Sequence, residues 1–291
     1  MTITSLTPPD LPPAVRDAVD GLAALKTVRS IRIAGSRARG RPTSPASDWD
    51  VLVYVEDPPA PEELHRLLPA DAGPQESVEL VTANLGHPFQ ESEYTIPVSP
   101  RIDVCFRPLA HVRREETLAA QGAFTVYSYP KIASGVPSYI LLSEAALSAP
   151  VHGDVGSPAR PTELALSAGP WWRGRASCAL LLAIDHVTAG EKLGALEHIL
   201  AAATSLAHSR LIARAQWYPI TKRLLNEPGA LDDRARQSLN QLSADRLSPD
   251  VVHQVAEDLG LDPEDGLDWL ARGEHIRPGG PDTHPTQTGQ R

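Results

Sequence analysis

Two aspartates at the start of an apolar run, Asp48 and Asp50, are the residues of this chain best suited to chemistry. The run that they open, Val51 to Val55, has the composition of a β-strand. Side chains alternate between the two faces of a strand, so residues two positions apart point the same way. Adjacent carboxylates repel each other unless a cation lies between them. The spacing therefore predicts a site for a hard divalent cation such as Mg²⁺, which prefers oxygen ligands.

A Gly35-Ser36 turn precedes these aspartates, directly after a short apolar strand that contains Ile31 and Ile33. The loop behind the turn carries three cations, at Arg37, Arg39 and Arg41. A glycine turn with a hydroxyl and nearby arginines suits an anion held by backbone N–H groups. Carboxylates for Mg²⁺ next to a turn for phosphate are the parts needed for chemistry on a nucleoside triphosphate.

A third acid, Asp103, lies within a second apolar stretch, Arg101 to Phe106. Strand periodicity puts its apolar residues on one face and Asp103 with Cys105 on the other. If the two strands are neighbours in one sheet, three aspartates share a surface. Nothing near Cys105 in the sequence lowers its pKa, so we interpret it as a packing residue.

The Gly35-Ser36 pair, followed by Asp48-x-Asp50 and by Asp103 in a second apolar strand, resembles the signature of the polymerase-beta type of nucleotidyltransferase. That superfamily includes the minimal nucleotidyltransferases and the enzymes that nucleotidylate aminoglycoside and lincosamide antibiotics. The resemblance covers about residues 28–108. The Gly-Ser turn alone is a weak signal, whereas the three parts in order form a specific one.

The resemblance implies roles for these residues. Metal and catalytic positions would be Asp48, Asp50 and Asp103, with two Mg²⁺ ions. Gly35 and Ser36 would contact the phosphates, with help from a cation. The nucleotide-binding set predicted for this chain is Gly35, Ser36, Arg37 and Lys222.

The implied reaction transfers a nucleoside monophosphate, in the first instance AMP from ATP, to a hydroxyl group. A small-molecule acceptor is favoured, and an antibiotic-like compound is one candidate. The acceptor oxygen attacks the α-phosphorus and pyrophosphate leaves. The general base stays open between Asp103, Glu163 and Glu197.

The order of predicted strands and helices indicates an α+β fold that ends in an α-helical bundle domain. The resemblance implies that the first part is a nucleotidyltransferase core of mixed β-sheet with helices. The predicted order is a flexible arm (1–12), the catalytic domain (13–155), the helical domain (160–276) and a disordered tail (277–291). Pro13 is expected to open a helix that packs beside the first strand. Gly153 to Pro161, rich in Gly, Pro and Ser, marks the domain boundary.

Two long periodic segments dominate the second half, Arg175–Thr188 and Leu193–Ala215, and Gly190 between them is a natural helix stop. A helix that begins near Thr162 is expected to break at Gly169-Pro170, before Trp171. The tryptophan pair at 171 and 172 has two interpretations, substrate stacking or core packing.

Gln216 to Arg223 combines aromatic residues with a Lys-Arg pair. In one interpretation Lys222 or Arg223 reaches the triphosphate while Trp217 or Tyr218 stacks on a base or a substrate ring. In the other, the aromatic residues only close the end of the bundle.

The composition limits the partners. With 27 Lys and Arg against 36 Asp and Glu, the net charge of −9 argues against constitutive nucleic-acid binding. Two cysteines in 291 residues suit a reducing cytoplasm. The first residues do not read as a secretory signal, and the apolar runs are too short to span a bilayer. We therefore expect a cytoplasmic protein without membrane association.

Two alternative functions remain at this level. A toxin–antitoxin type of minimal nucleotidyltransferase would act on a protein or a tRNA. Arg246-x6-His253 has the spacing of an RNase motif found in partners of such enzymes, although Pro249 interrupts it. A catalytically inactive nucleotide-binding module is the second alternative, and the intact carboxylates argue against it.

Overall fold

A computed structural model of the chain describes residues 10–39, 47–60, 63, 93–96, 100–129, 132–214, 217–218 and 224–273. In chain order the elements are α1 (Pro13–Ala23), β1 (Val28–Ile33), α2 (Gly35–Ala38), β2 (Trp49–Val55), β3 (Glu93–Ile96), β4 (Ile102–Pro108), α3 (Leu109–Ala120), β5 (Val126–Tyr129), β6 (Ile132–Pro137), α4 (Ile140–Leu147), β7 (Ala149–His152), α5 (Thr162–Thr188), α6 (Lys192–Ala213), a 3₁₀ turn (Leu224–Asn226), α7 (Asp233–Asn240), a 3₁₀ turn (Ala244–Arg246), α8 (Pro249–Leu259) and α9 (Glu264–Ala271).

The chain divides into two compact units, and each is discontinuous in sequence. The first contains the described residues of Met1–Thr117, Ser138–Arg160 and Arg214–Lys222. The second contains those of Leu118–Pro137, Pro161–Ala213 and Arg223–Arg291. The domain limits 13–155 and 160–276 remain sequence-based predictions.

A mixed sheet forms the centre of the first unit. Its described strands follow the order β3-β4-β2-β1-β7. Strands β2 and β4 run parallel, whereas β1 pairs antiparallel with both β2 and β7, and β3 pairs antiparallel with β4. The parallel pair carries the predicted carboxylates, so the sheet topology brings two distant segments of the sequence next to each other.

One face of this sheet is apolar and packs against α1. Helix α1 begins at Pro13, whose fixed φ suits the first turn, and it buries Val15, Val19 and Leu22. The sheet side of this core contributes alternate strand residues: Ile31, Ile33, Trp49, Val51, Val53, Val55, Ile102, Val104 and Phe106. Because these positions point one way, the intervening residues must point to the other face.

The opposite face of the sheet carries a buried polar layer. Arg32 donates hydrogen bonds to the hydroxyl and the backbone carbonyl of Ser148, at 2.9 and 2.8 Å. Arg107 pairs with Glu144 of α4, with its Nε 2.8 Å from Oε2. Burial alone would lower the pKa of Arg107, but Glu144 raises it, so the guanidinium stays charged. These pairs tie α4 and the start of β7 to the sheet.

The second unit is mainly helical, with the hairpin β5-β6 added. Helices α5 and α6 bury small residues against each other, and α8 adds Val252 and Val255 to the same core. Gly190, with φ 82°, ends α5 as predicted. The predicted break at Gly169-Pro170 is wrong, because α5 runs unbroken through Pro170. Packing against α6, including the 2.7 Å hydrogen bond from Ser209 to the Gly169 carbonyl, outweighs the local cost of the proline.

The predicted fold class, a mixed β-sheet with helices followed by a helical bundle, is confirmed. No helix in the described part of the chain is long and apolar enough to cross a membrane. The predicted tail 277–291, residues 1–9 of the predicted arm, Arg41 and Lys222 lie outside the described residues.

Candidate functional site

Asp50 and Asp103 are in-register neighbours on the parallel strands β2 and β4. Adjacent strands lie about 4.8 Å apart, and registered residues of a parallel pair point to the same face. Asp50 is half-buried and Asp103 is buried, while Trp49 and Ile102 point into the core on the other side. Residues 53 positions apart in the sequence therefore present their carboxylates side by side.

Gly35 is the first residue of α2 and lies directly against the Asp50 carboxylate. Its φ of 65° belongs to the left-handed region that favours glycine. A Cβ at this position would overlap Oδ2 of Asp50, so only glycine leaves room for the carboxylate. The backbone N–H of Ala34 donates to the carbonyl of Asp50 at 2.8 Å. The Gly35-Ser36 turn and the carboxylate strand are thus one local structure.

Arg37 fixes the segment that leads into β2. Its guanidinium carbon lies 4.5 Å from the centroid of the Trp49 ring. Nη2 donates to the Ser47 carbonyl at 2.6 Å, and Nε donates to the Asp48 carbonyl at 3.3 Å. A stacked guanidinium with two backbone acceptors positions Asp48 at the entrance to the strand. Arg39 serves the turn itself, because its Nε donates to the Gly35 carbonyl at 3.2 Å.

Arg101 is a part of this site that the sequence analysis did not assign. Its Nε donates to Oδ1 of Asp103 at 2.9 Å, and its Nη2 donates to Oδ2 at 3.1 Å. This fork pairs a half-exposed guanidinium with a buried carboxylate. The sequence did contain a signal, since residues 101 and 103 are two apart at the start of a strand and share a face.

Asp48 is exposed and directly precedes β2, so it flanks Trp49 together with Asp50. The chemistry of this donor set fits a divalent cation, because aspartate oxygens are the ligands that Mg²⁺ takes. Gly35, which has no Cβ, leaves space for Oδ2 of Asp50. Among the described residues, however, no three His, Cys, Asp or Glu side chains form a ready-made metal-binding group. The Asp103 carboxylate instead forms an ion pair with Arg101.

Trp217 and Tyr218, for which the sequence leaves substrate stacking and closure of the bundle as alternatives, are both buried in the first unit. Trp217 donates its indole N–H to the Pro158 carbonyl at 2.9 Å. The hydroxyl of Tyr218 lies 2.9 Å from that of Tyr139. Burial, together with Tyr139, raises the pKa of Tyr218, which keeps it neutral. These contacts give both residues a packing role.

Comparison with known proteins gives structural neighbours only. No family model matches the chain, and no curated protein matches it. A nucleotidyltransferase-like protein from Exiguobacterium sibiricum 255-15 is 13% identical, with a TM-score of 0.44, over 90% of this chain and 77% of its own. An aminoglycoside 6-adenyltransferase from Bacillus subtilis is 12% identical, with a TM-score of 0.25, over 89% of this chain and 97% of its own.

Proposed function

We propose that this chain is a divalent-metal-dependent nucleotidyltransferase that transfers a nucleoside monophosphate, AMP from ATP, to a hydroxyl group of a small-molecule acceptor. The observation that carries the proposal is the registered pair Asp50 and Asp103, with Gly35 packed against the first of them. The order of these parts in the sequence agrees with the superfamily that the sequence resembles.

Each residue has a role in this proposal. Asp48 and Asp50 would hold one Mg²⁺, and Asp103 would contribute to the binding of a second. When bound, the two ions neutralise phosphate charge and stabilise the entering and leaving oxygens of an in-line displacement. Gly35 and Ser36 bring backbone N–H groups close to the phosphates.

The reaction is a substitution at the α-phosphorus. A bond forms between the acceptor oxygen and this phosphorus, and the bond from the phosphorus to the oxygen bridging to the β-phosphate breaks. Pyrophosphate leaves, and the proton of the acceptor hydroxyl passes to a carboxylate, for which Asp103 is our candidate. Since little covalent chemistry falls to the protein, positioning and charge neutralisation supply most of the rate.

Arg37 holds the carboxylate segment in place. Its two hydrogen bonds to the carbonyls of Ser47 and Asp48, and its stacking on Trp49, fix the backbone that carries Asp48. We assign it this positioning role together with the phosphate contact that the resemblance implies. Lys222, the other predicted nucleotide contact, remains a sequence-based prediction.

Paired radiolabels test this function. The protein is incubated with Mg²⁺ and either [α-³²P]ATP or [γ-³²P]ATP, against a panel of hydroxyl-bearing small molecules, total tRNA and proteins. We expect the α-label to move to a small molecule and the γ-label to leave as pyrophosphate. Transfer of the γ-label would identify a kinase, α-label on tRNA or protein would identify the alternative acceptor, and no transfer at all would favour the inactive module.

Asp103→Asn provides the matched negative variant. It removes a charge with almost no change in shape, and we expect transfer to fall by about 10²-fold or more. Asp57→Asn is the control, because Asp57 is an exposed aspartate that follows the other end of β2. Equal activity of the two variants would exclude Asp103 from the reaction.

A further inference from the structure

The second unit contains an arginine in an aromatic environment that the proposed function does not use. The guanidinium carbon of Arg175 lies 5.3 Å from the ring centroid of Trp172 and 5.7 Å from that of Trp171. Arg175 follows the two tryptophans by three and four positions on α5, a spacing at which helix side chains are neighbours. The two indole rings meet edge to face, with their centroids 4.9 Å apart. Arg175 is therefore held at a corner formed by two rings.

This corner is built rigidly from several elements. Phe124 and Trp269 pack edge-on against Trp171, with centroid distances of 5.5 and 5.9 Å. Trp269 in turn lies where a Cβ on Gly174 would be, so that glycine lets α9 approach α5 closely. The ring of His208, on α6, stacks on that of Trp172 with a centroid distance of 4.3 Å. Aromatic rings fixed on three sides leave the walls of the corner little freedom.

The charge of Arg175 has no counter-ion here. Among the described residues, no carboxylate pairs with it and no acceptor takes a hydrogen bond from its five N–H donors. Burial lowers the pKa of Arg175, which marks the cost of removing this group from water. His208 adds no charge beside Arg175, because burial and then Arg175 lower its pKa to about 3 and keep it neutral. Cys178, whose pKa burial raises, also stays uncharged.

Ring contacts alone leave this guanidinium incompletely satisfied. A cation over an aromatic face is stabilised through its plane, while the N–H groups at its edge still require acceptors. The guanidinium nitrogens of Arg175 are not among the fully buried unpartnered atoms, so their N–H groups are accessible to a bound anion. The planar fork of arginine matches the two oxygens of a carboxylate or a phosphoryl group.

We propose that Arg175, with Trp171 and Trp172 as walls, is a binding site for an oxyanion, either a carboxylate or a phosphoryl group, in the second unit. The site is independent of the carboxylate face of the first unit and does not rest on the nucleotidyl-transfer proposal. The indole rings add apolar surface for the part of the ligand that carries the anion.

Calorimetric titration in EDTA tests this site without contribution from metal-dependent nucleotide binding. Inorganic phosphate and acetate are titrated separately, so that the two arms identify the oxyanion. We expect saturable binding of one of them with a dissociation constant of about 1 mM or tighter. Arg175→Gln should weaken it at least about tenfold, as expected for loss of a charged bidentate contact. The control Arg113→Gln, on the exposed side of α3, should bind as the wild type does.

Two results would overturn the site. One is the absence of saturable binding of both anions to the wild type, and the other is equal binding by Arg175→Gln. If Arg175→Gln does not fold by circular dichroism, Arg175→Lys replaces it. This variant keeps the charge but lacks the fork, so we expect severalfold weaker binding, and undiminished binding would overturn the proposal.

Discussion

Arg101 donates two hydrogen bonds to the carboxylate of Asp103, the in-register neighbour of Asp50. A guanidinium therefore neutralises one of two adjacent carboxylates in the arrangement described here. A divalent cation that binds Asp103 meets the positive charge of this partner. The pair thus sets how readily the candidate site accepts metal.

Arg101→Gln should raise the affinity for a divalent ion, because it removes a competing positive charge from Asp103. We expect Mn²⁺ to bind at least about threefold more tightly, as measured by calorimetry. The free energy of unfolding should fall by less than about 1 kcal/mol, since Arg101 is half-exposed.

Arg29→Gln is the matched control for this change. Arg29 forms an exposed ion pair with Glu56, at 3.2 Å, in the same unit. Its loss should leave Mn²⁺ binding unchanged. Unchanged or weaker binding by Arg101→Gln would mean that the Arg101 pair only supports the strand.

Gly35→Ala should disrupt the carboxylate site. A Cβ there would overlap the Asp50 carboxylate, and the left-handed backbone adds strain. Gly156→Ala is the control for backbone strain alone, because Gly156 has φ 77° and open space around its Cβ position. We expect urea denaturation to show Gly35→Ala less stable by about 1–3 kcal/mol than Gly156→Ala, with Mn²⁺ binding lost only in the former. Equal behaviour of the two variants would show that Asp50 does not need this glycine.

His208 should make the second unit sensitive to acid. Burial, and then Arg175, lower the pKa of His208 in the folded protein to about 3, whereas an unfolded histidine titrates at about 6.5. Between these values the unfolded chain binds a proton that the folded chain does not, so stability falls as the pH falls. From pH 6.5 to 5 the free energy of unfolding should fall by about 1.6 kcal/mol.

Urea denaturation of the second unit at both pH values measures this loss. His208→Gln should remove most of it, because glutamine does not titrate. His253→Gln, at an exposed position on α8, should retain it. If His208→Gln keeps the full pH dependence, other groups are responsible for it.

Period-two alternation was sufficient to predict the carboxylate face. It placed Asp50 and Asp103 opposite the apolar residues of their strands, and a proline-led apolar stripe predicted α1. The same rule assigns Arg101 and Asp103 to one face, but it does not predict that the two side chains form an ion pair.

Other features depend on tertiary contacts that leave no local pattern. Helix α5 continues through Pro170 because packing with α6 outweighs the missing hydrogen bond. Trp217 and Tyr218 are buried and form hydrogen bonds with Pro158 and Tyr139, respectively, which are distant in sequence. The aromatic corner at Arg175 likewise requires that α6 and α9 pack against α5, and no spacing along α5 predicts this packing.

Metal-dependent binding of a triphosphate is the most direct test of the central claim, because it requires no knowledge of the acceptor. A non-hydrolysable ATP analogue with a methylene group between the α- and β-phosphates is titrated calorimetrically into the wild type and Asp50→Asn. Each titration is repeated in Mg²⁺ and in EDTA. We predict tight binding only for the wild type in Mg²⁺, weakened at least about tenfold by EDTA or by the substitution. Binding of equal affinity in all four titrations would contradict the assignment of Asp50 to a metal–triphosphate site.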